Sequence, residues 1–151
     1  MTTKPEMSAA DIAKAVAGGK MSALAATEAA LARIKQHDTI LNSFTDVTAE
    51  RALAKARAID ADIAAGKTVG PLAGVPFAVK NLFDVAGLST RAGSKINRDL
   101  APAKRDATLI ERMEAAGAVL VGALNMGEYA YDFTGENVQT VPRAIRTTRR
   151  G

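Results

Sequence analysis

The first half of the chain alternates alanine-rich segments of helical spacing with short punctuating residues. Ser8 followed three residues later by Asp11 is typical of a helix start, and Gly18-Gly19 predicts where that helix ends. Ser22 predicts the start of a longer second helix. Its apolar stripe follows spacings of three and four and is widened by alanines, along Leu24, Glu28, Leu31 and Ile34.

A short extended segment separates the second helix from a third. Residues 42–47 predict this extended segment, and Thr48 is expected to cap a helix that runs towards Ala65. Gly66 then predicts the end of that helix. Alanine-rich helices of this kind are typical of closely packed core helices.

The second half of the chain reads as alternating strand and helix. Residues 75–80 predict a buried strand and residues 118–122 predict another. Between them we expect an irregular loop and a helix from about 107 to 116, capped by Asp106 and ended by Gly117. The apolar face of this helix is predicted at Leu109, Ile110 and Met113. Strand, crossover helix and strand together predict a parallel pair with a right-handed connection.

Lys80 is the candidate functional residue of this pattern. It lies at the carboxyl end of the strand over residues 75–80, where open α/β sheets place their ligand crevice. We expect partial desolvation there, which favours the neutral amine over the ammonium and makes Lys80 a candidate general base. Taken alone, the same pattern also fits an edge-strand lysine whose ammonium reaches water.

Five sequence blocks, in order, resemble the amidase signature family over roughly residues 20 to 138. The run from Gly70 to Asn81, GPLAGVPFAVKN, is similar to the family's lysine block. The sequence of residues 79–84 and 93–97 most resembles the carboxybiuret-hydrolase-like branch. The other four blocks are Thr90 with Ala92-Gly93-Ser94, Asp106-Ala107-Thr108, residues 117–122 and residues 125–130.

This resemblance implies a fold and a mechanism. The fold class is α/β, the N-terminal part of the amidase signature fold, with N-terminal helices (1–66) followed by the first strands and helices of a mixed sheet (70–138). The mechanism is a Ser, cis-Ser, Lys triad that hydrolyses an amide bond, and only its lysine maps here, onto Lys80. None of the serines of this chain lies in the expected Gly-Gly-Ser-Ser-Gly-Gly context; they are Ser8, Ser22, Ser43, Ser89 and Ser94.

Residues 139–151 depart from the family continuation. If one T is restored after a CAG codon for Gln139, a permitted choice of codons translates as QYGPSRNPHDPAR, which resembles that continuation. We therefore interpret residues 139–151 as a frame-shifted basic tail after a truncated domain of residues 1–138; the alternatives are a sequencing error and a genuine tail. The chain by itself is then expected to be inactive.

The tail also accounts for the net charge. Lys and Arg number 20 and Asp and Glu 16. Without the tail arginines the two signs are equal at 16; these are Arg143, Arg146, Arg149 and Arg150. Because the rest of the chain also lacks interleaved aromatic and basic residues, we expect no nucleic-acid partner.

Composition limits the remaining classes of function. No cysteine is present, which excludes disulfide and thiolate chemistry and suits a cytoplasmic location. The single histidine, His37, is explained by its place near a helix C-terminus, so no metal site and no cofactor are expected. No stretch approaches about 18 uninterrupted apolar residues, so no membrane span is expected.

Other residues of the family blocks are expected to support the site. The resemblance implies that residues 90–94 lie near the crevice in a positioning role and that Asn125 and Glu128 are buried polar supports. Asp is commoner in the family at Asn81 and at Gly127, so this chain departs from the pattern there. Two further side chains, Arg91 and Lys95, fit either an anionic substrate or solvated surface charge.

The resemblance therefore predicts a hydrolase that cleaves a C–N bond of a small amide or ureido compound. The alternatives are a fragment of a glutamyl-tRNA amidotransferase A-subunit-like protein and a non-catalytic binding module that uses the helices and the tail. A homodimer or a small helical subunit is the partner that the resemblance implies.

Overall fold

The computed structural model describes residues 7–131, which form helices on both sides of a small sheet. In chain order the helices and strands are α1 (Ala9–Ala17), α2 (Ala23–Leu41), β1 (Phe44–Val47), α3 (Ala49–Ala64), β2 (Pro76–Lys80), α4 (Thr108–Ala115) and β3 (Val119–Leu124). Two single 3-10 turns, Lys95–Asn97 and Glu128–Ala130, lie in the loops after β2 and β3. The α/β class and the mixed sheet are confirmed.

The starts of the first two helices are as predicted. Ser8 and Asp11 form a reciprocal capping box at α1, and Ser22 Oγ accepts a hydrogen bond from the Ala25 N–H at α2. A second cap on α2 comes from α3, because Asp60 accepts hydrogen bonds from the N–H groups of Ala23 and Leu24 at 2.7 and 3.0 Å. This carboxylate ties the two helices together and offsets the positive end of the α2 dipole.

The predicted cap of α3 is wrong in its detail. Thr48 occupies the N-cap position, but its side chain makes no capping hydrogen bond. The hydroxyl instead donates to the Leu120 carbonyl at 2.9 Å, and the Thr48 N–H donates to the Val121 carbonyl at 3.0 Å. Thr48 therefore joins α3 to the sheet, because the strand preceding the helix runs beside β3.

The sheet has the order β1-β3-β2, with β3 in the centre. β2 pairs with β3 in parallel, as predicted from the strand, helix, strand pattern, and β1 pairs with β3 antiparallel. Gly122 makes the β1 contact possible, since a Cβ there would lie 2.4 Å from the Asp46 carbonyl oxygen and 2.8 Å from the Phe44 ring. The pairing of β1 with β3 is irregular between Phe44 and Asp46.

The central strand separates two apolar clusters. Val119 and Val121 point into the first core, which α1, α2 and α3 cover, whereas Leu120 points into the second core with Ile110 of α4. This alternation is the period-two geometry of a strand buried on both faces. The buried members of the first core are mostly small: Val16, Ala23, Ala30, Ala52, Ala56, Ile59, Ala73, Val119 and Val121.

The alanines of α2 are more deeply buried than its predicted stripe. Ala23, Ala26, Thr27 and Ala30 are its buried residues. Leu24, Leu31 and Ile34 are only partly buried and pack against the first core. Small side chains let α2 lie close to α3 and β3, so the larger residues end at the margin of the contact.

Two predictions for the crossover helix are wrong. The N-cap of α4 is Ala107 and makes no side-chain capping bond; Asp106 instead bonds Arg51 of α3. Ile110 is fully buried, but Leu109 is 46% exposed because it lies on the outer face of the helix. The short α4 is thus fixed by one apolar side chain and by an ion pair to α3.

Candidate active site

Lys80 lies where the sequence predicts, at the carboxyl end of β2. In the parallel pairing its partner is Leu124, the last residue of β3, and Phe44 at the start of antiparallel β1 pairs with the same Leu124. Three chain segments therefore meet at one edge of the sheet. The strand begins at Pro76 and is half-buried over most of its length, with Val79 buried.

The expected desolvation of Lys80 is not found among the described residues, where its side chain is exposed. It is the last residue of the strand. No hydrogen bond joins Lys80 Nζ to a serine hydroxyl within residues 7–131. Four serine hydroxyls have other partners there: Ser8 and Ser22 cap helices, Ser89 donates to the Leu100 carbonyl, and Ser94 donates to Glu128.

The residue after the lysine, Asn81, is the polar centre of this edge. It is 3% exposed, and its N–H donates to the Leu124 carbonyl at 3.0 Å. Its carbonyl accepts from the Ala92 N–H at 3.0 Å, and its Oδ1 accepts from the Gly93 N–H at 3.1 Å. The side-chain Nδ2 donates to Thr45 Oγ1 of β1 at 3.4 Å. One amide side chain therefore contacts both β1 and the loop that follows β2.

The turn over residues 91–94 lies directly against Asn81. Ala92 and Gly93 both have left-handed backbone conformations, with φ of 48° and 68°. That geometry directs two successive N–H groups towards Asn81, and glycine relieves the strain at one of the two positions. Ser94 is 4% exposed and its N–H donates to the Arg91 carbonyl at 2.9 Å. The turn therefore lies beside the residue that follows Lys80, and its positioning role near the crevice stays a prediction.

The chain after β3 fixes the other side of this turn. Ser94 Oγ donates to Glu128 Oε1 at 2.5 Å, and the Tyr129 N–H donates to the Ala92 carbonyl at 2.8 Å. Asn97 Nδ2 donates to both the Arg91 carbonyl and the Tyr129 hydroxyl, at 3.0 and 2.9 Å. The loops after β2 and β3 are thus bonded to each other at the edge that carries Lys80.

Of the two expected polar supports, one is buried and one is not. Asn125 is 4% exposed, and its Nδ2 donates to the Asn42 carbonyl at 3.2 Å while its N–H donates to the Ser43 carbonyl at 2.7 Å. Glu128 is exposed, so its predicted burial is wrong, although its carboxylate anchors Ser94.

The two cations near the site are at the surface. Arg91 and Lys95 are both exposed, and an Arg91 Nη2 atom lies 3.7 Å from Asp46 Oδ1 of β1. At that distance and exposure the pair contributes little stability.

A cluster of three charged side chains, Arg51, Asp106 and Glu114, connects the helices to the loop that follows β2. Arg51 binds Asp106 through two hydrogen bonds of 2.9 and 2.5 Å and binds Glu114 at 2.8 Å. These bonds to the guanidinium lower the pKa of Asp106 below its ordinary value; burial opposes the shift, and a hydrogen bond from the Ala86 N–H adds to it. The carboxylates in turn raise the pKa of Arg51. The cluster joins α3, α4 and the loop after β2.

A concave surface runs along the C-terminal half of α2 and reaches the start of β1. This open groove of about 520 Å³ includes His37, Ile40 and Phe44 in its lining. Within residues 7–131 the structure brings together no group of three or more His, Asp or Glu that could hold a metal ion. In the same range no helix combines the length and apolar character that crossing a bilayer demands.

Lys80 is predicted by the sequence pattern, whereas Asn81 is given no role by it. The available signal was an amide directly after an apolar strand, a place where a short polar side chain can bond the backbone of a following loop. The partners of Asn81 lie 12 and 36 residues away, at Gly93 and Thr45, so they could not be inferred from local spacing.

Comparison with known proteins shows similarity to amidases. The Amidase family model matches residues 25–148. The chain is 53% identical over 136 residues to AtzE, a 1-carboxybiuret hydrolase subunit of Pseudomonas sp. (strain ADP), covering 90% of this chain and 30% of that protein. It is 43% identical over 132 residues to the A subunit of the glutamyl-tRNA(Gln) amidotransferase of Streptomyces coelicolor, covering 87% and 26%.

Solved structures give the same result. An inhibitor-bound structure of a vestigial protein complex, concerned with the evolutionary origins of an s-triazine catabolic enzyme, superposes with a TM-score of 0.86 at 54% identity, covering 87% of this chain and 29% of that one. The native peptide amidase of Stenotrophomonas maltophilia gives 0.75 at 30% identity, covering 83% and 26%. The chain thus spans less than a third of the length of these relatives. Since the family model matches most of the sequence, the chain belongs to the amidase signature family.

Proposed function

We propose that this chain carries the lysine-bearing part of an amidase-type hydrolase, with Lys80 as the catalytic base. The observation that supports this most is the placement of Lys80 at the carboxyl end of a parallel strand, in a chain 53% identical to a 1-carboxybiuret hydrolase subunit. The substrate class we propose is a small amide or ureido compound with a hydrolysable C–N bond. Residues 1–138 are then a truncated amidase domain.

In the proposed reaction the neutral amine of Lys80 accepts a proton from a bridging serine. The bridging serine in turn accepts the proton of the nucleophilic serine, whose oxygen attacks the substrate carbonyl. Backbone N–H groups near the nucleophile stabilise the oxyanion. The proton then passes to the departing nitrogen, and water hydrolyses the acyl-enzyme. The family context of both serines is absent from the 151 residues, and four of the five serine hydroxyls have structural partners.

Because the nucleophile and the bridging serine are lacking, we propose that the 151-residue chain alone does not hydrolyse amides. The measurement is ammonia release by the purified chain from 1-carboxybiuret, biuret and glutamine, with a full-length relative as positive control. Release that disappears in Lys80→Met but persists in Lys20→Met would overturn the proposed inactivity of the chain while keeping the role of the lysine.

The role of Lys80 is tested in a hybrid. Residues 1–131 of this chain replace the corresponding segment of the Pseudomonas 1-carboxybiuret hydrolase subunit, to which they are similar. We expect the hybrid to hydrolyse 1-carboxybiuret and Lys80→Met to lower kcat by about 10³-fold or more, because the proton acceptor of the nucleophile is lost. Lys20→Met, an equally conservative loss of an exposed ammonium in the loop between α1 and α2, is the matched control. A Lys80→Met hybrid that is folded and fully active would refute the proposal.

Two branches of the family imply different substrates for this chain. The identity of 53% to a carboxybiuret hydrolase subunit, compared with 43% to an amidotransferase chain, favours the ureido compound. Both relatives are named as subunits, so we propose that this chain has a partner, either a second copy or a small helical chain. We expect the hybrid to hydrolyse 1-carboxybiuret but not glutamine, and hydrolysis of glutamine would favour the amidotransferase branch.

The frame shift at residue 139 falls outside the described residues and stays a prediction. Resequencing the coding DNA through the Gln139 codon is its test. A gene that truly lacks the base supports a truncated chain, and recovery of the base on resequencing supports a sequencing error in a full-length protein.

A further inference from the structure

Asn81 forms hydrogen bonds with three segments of the chain, namely β3, the turn over residues 91–94 and β1. Its backbone bonds β3 through Leu124, its carbonyl and Oδ1 bond the turn at Ala92 and Gly93, and its Nδ2 bonds Thr45 of β1. At 3% exposure these polar groups have little access to water, so each protein partner replaces a water molecule that the side chain would otherwise bind.

The chemistry of an amide fits both side-chain contacts. The Gly93 N–H requires an acceptor, which Oδ1 supplies at 3.1 Å. The Thr45 hydroxyl donates its own hydrogen to the Ala123 carbonyl at 3.3 Å, so its oxygen is left to accept, and Nδ2 of Asn81 is the donor. An ionised aspartate keeps the acceptor and loses the donor, whereas alanine loses both.

These bonds fix the backbone from which the lysine side chain extends. The Lys80 carbonyl accepts from the Phe83 N–H at 3.1 Å, and the next peptide N–H, that of Asn81, bonds β3. Lysine has four flexible side-chain torsions and is exposed here, so the direction in which it leaves the strand depends on this backbone. A base that is displaced by about 1 Å loses much of its rate advantage.

We propose that Asn81 is a positioning residue, which holds the backbone of Lys80 and the turn over residues 91–94 in one fixed arrangement. This inference rests on the proposed function of Lys80. Asn81 itself acts through the lysine and the turn and need not contact the substrate. The same bonds explain how Ala92 and Gly93 keep two successive left-handed conformations.

The first test is amide hydrogen exchange, measured at single-residue level by mass spectrometry on the 151-residue chain. We expect Asn81→Ala to accelerate exchange at Ala92 and Gly93 by about 10-fold or more. The Gly93 N–H loses its acceptor, Asn81 Oδ1, and the backbone carbonyl that accepts from Ala92 is no longer held in place. Amides within α2 are the internal control for folding. Asn81→Asp is expected to restore protection at Gly93, since its carboxylate still accepts that bond. Unchanged exchange at both amides in a folded Asn81→Ala chain would overturn the inference.

The second test is the kinetics of the hybrid described above. We expect Asn81→Ala to lower kcat by about 10-fold or more with little change in KM, and Asn81→Asp to recover part of the loss. Val16→Ala, which loosens the first core far from the lysine, is the control for general destabilisation and is expected to keep kcat. Faster exchange with normal kcat in Asn81→Ala would refute positioning and leave the function of Lys80 intact. Normal kcat in Lys80→Met would instead refute the proposed function.

Discussion

The helix-covered face of the sheet and the edge that carries Lys80 bury their residues in different ways. Five of the nine buried members of the first core are alanines, whose small side chains let α2 and α3 lie close to β3. The edge instead buries Asn81, Ser94 and Asn125, each 3–4% exposed and each hydrogen-bonded to another segment. Close packing tolerates a change of polarity poorly, and a polar network tolerates the loss of one partner poorly.

Side-chain volume determines the packing of the first core, whereas hydrogen-bond direction determines the structure of the edge. In the first core any side chain of the right volume can serve, so the region is specified by size. At the edge a side chain of the right volume is insufficient, because Asn81 must both donate and accept. Substitutions that change volume alone, or bonding alone, should therefore separate the two regions.

The largest effect is expected from Leu120→Ala in β3. Leu120 is fully buried in the second core, so truncation removes apolar contacts and leaves a cavity between the sheet and α4. We expect the free energy of unfolding to fall by about 2–5 kcal/mol. Urea denaturation followed by circular dichroism measures it. Leu109→Ala, on the exposed side of α4, is the control and should cost far less.

An increase in volume within the first core is expected to come next. Ala56 is fully buried on α3, and Ala54 is exposed on the same helix. We expect Ala56→Leu to destabilise the protein by about 1–3 kcal/mol through overpacking, whereas Ala54→Leu should have almost no effect. Similar unfolding midpoints for the two variants would show that the helix contact is not tightly packed.

The ion-pair cluster between the two regions should respond to pH. The pKa of Asp106 is lowered in the folded protein, so its bond to Arg51 contributes stability above the unfolded pKa of about 3.9, and this contribution is lost as the pH falls through the lowered pKa. Arg51→Met should cost about 1–3 kcal/mol at pH 7 and should flatten the loss of stability below about pH 4. Unfolding series at several pH values measure both effects. If the free energy of unfolding of Arg51→Met falls as steeply below pH 4 as that of the unmodified protein, this account is contradicted.

The smallest effect is expected at the edge. Ser94→Ala removes the bond to the exposed Glu128 with little change in volume, and we expect a loss of about 0.5–1.5 kcal/mol. Global unfolding will barely register it, so the sensitive measurement is hydrogen exchange at Tyr129, whose N–H bonds the neighbouring Ala92 carbonyl. Normal protection of Tyr129 in Ser94→Ala would show that the turn is held without Glu128.

The fold was predictable to the extent that it depends on local patterns. The helix starts at Ser8 and Ser22, the helix end near Gly66, the parallel strand pair and the place of Lys80 are all found. The caps at Thr48 and Asp106 were predicted from local chemistry, and both side chains were instead engaged by partners more than 50 residues away. Long-range bonds of this kind leave no periodic signal along the chain.

The candidate site was predictable in its position but not in its connections. An apolar strand with Gly and Pro before it predicts the position of Lys80. The blocks that resemble the family predict which loops surround it. The bonds from Asn81 to Gly93 and from Ser94 to Glu128 depend on how two loops approach one another in space. For the same reason the burial expected for Lys80 and Glu128 was wrong, since burial depends on what lies over the edge of the sheet.

The central strand of this sheet is also the last of the three to be synthesised. Within residues 7–131, β1 and β2 do not pair with each other and each pairs only with β3, so neither has this partner on a growing chain until β3 has left the ribosome. The α2–α3 hairpin can assemble from local contacts well before that moment, whereas sheet formation must wait for long-range closure. Translation speed across residues 80–124 should therefore influence how much of this protein escapes aggregation during its synthesis.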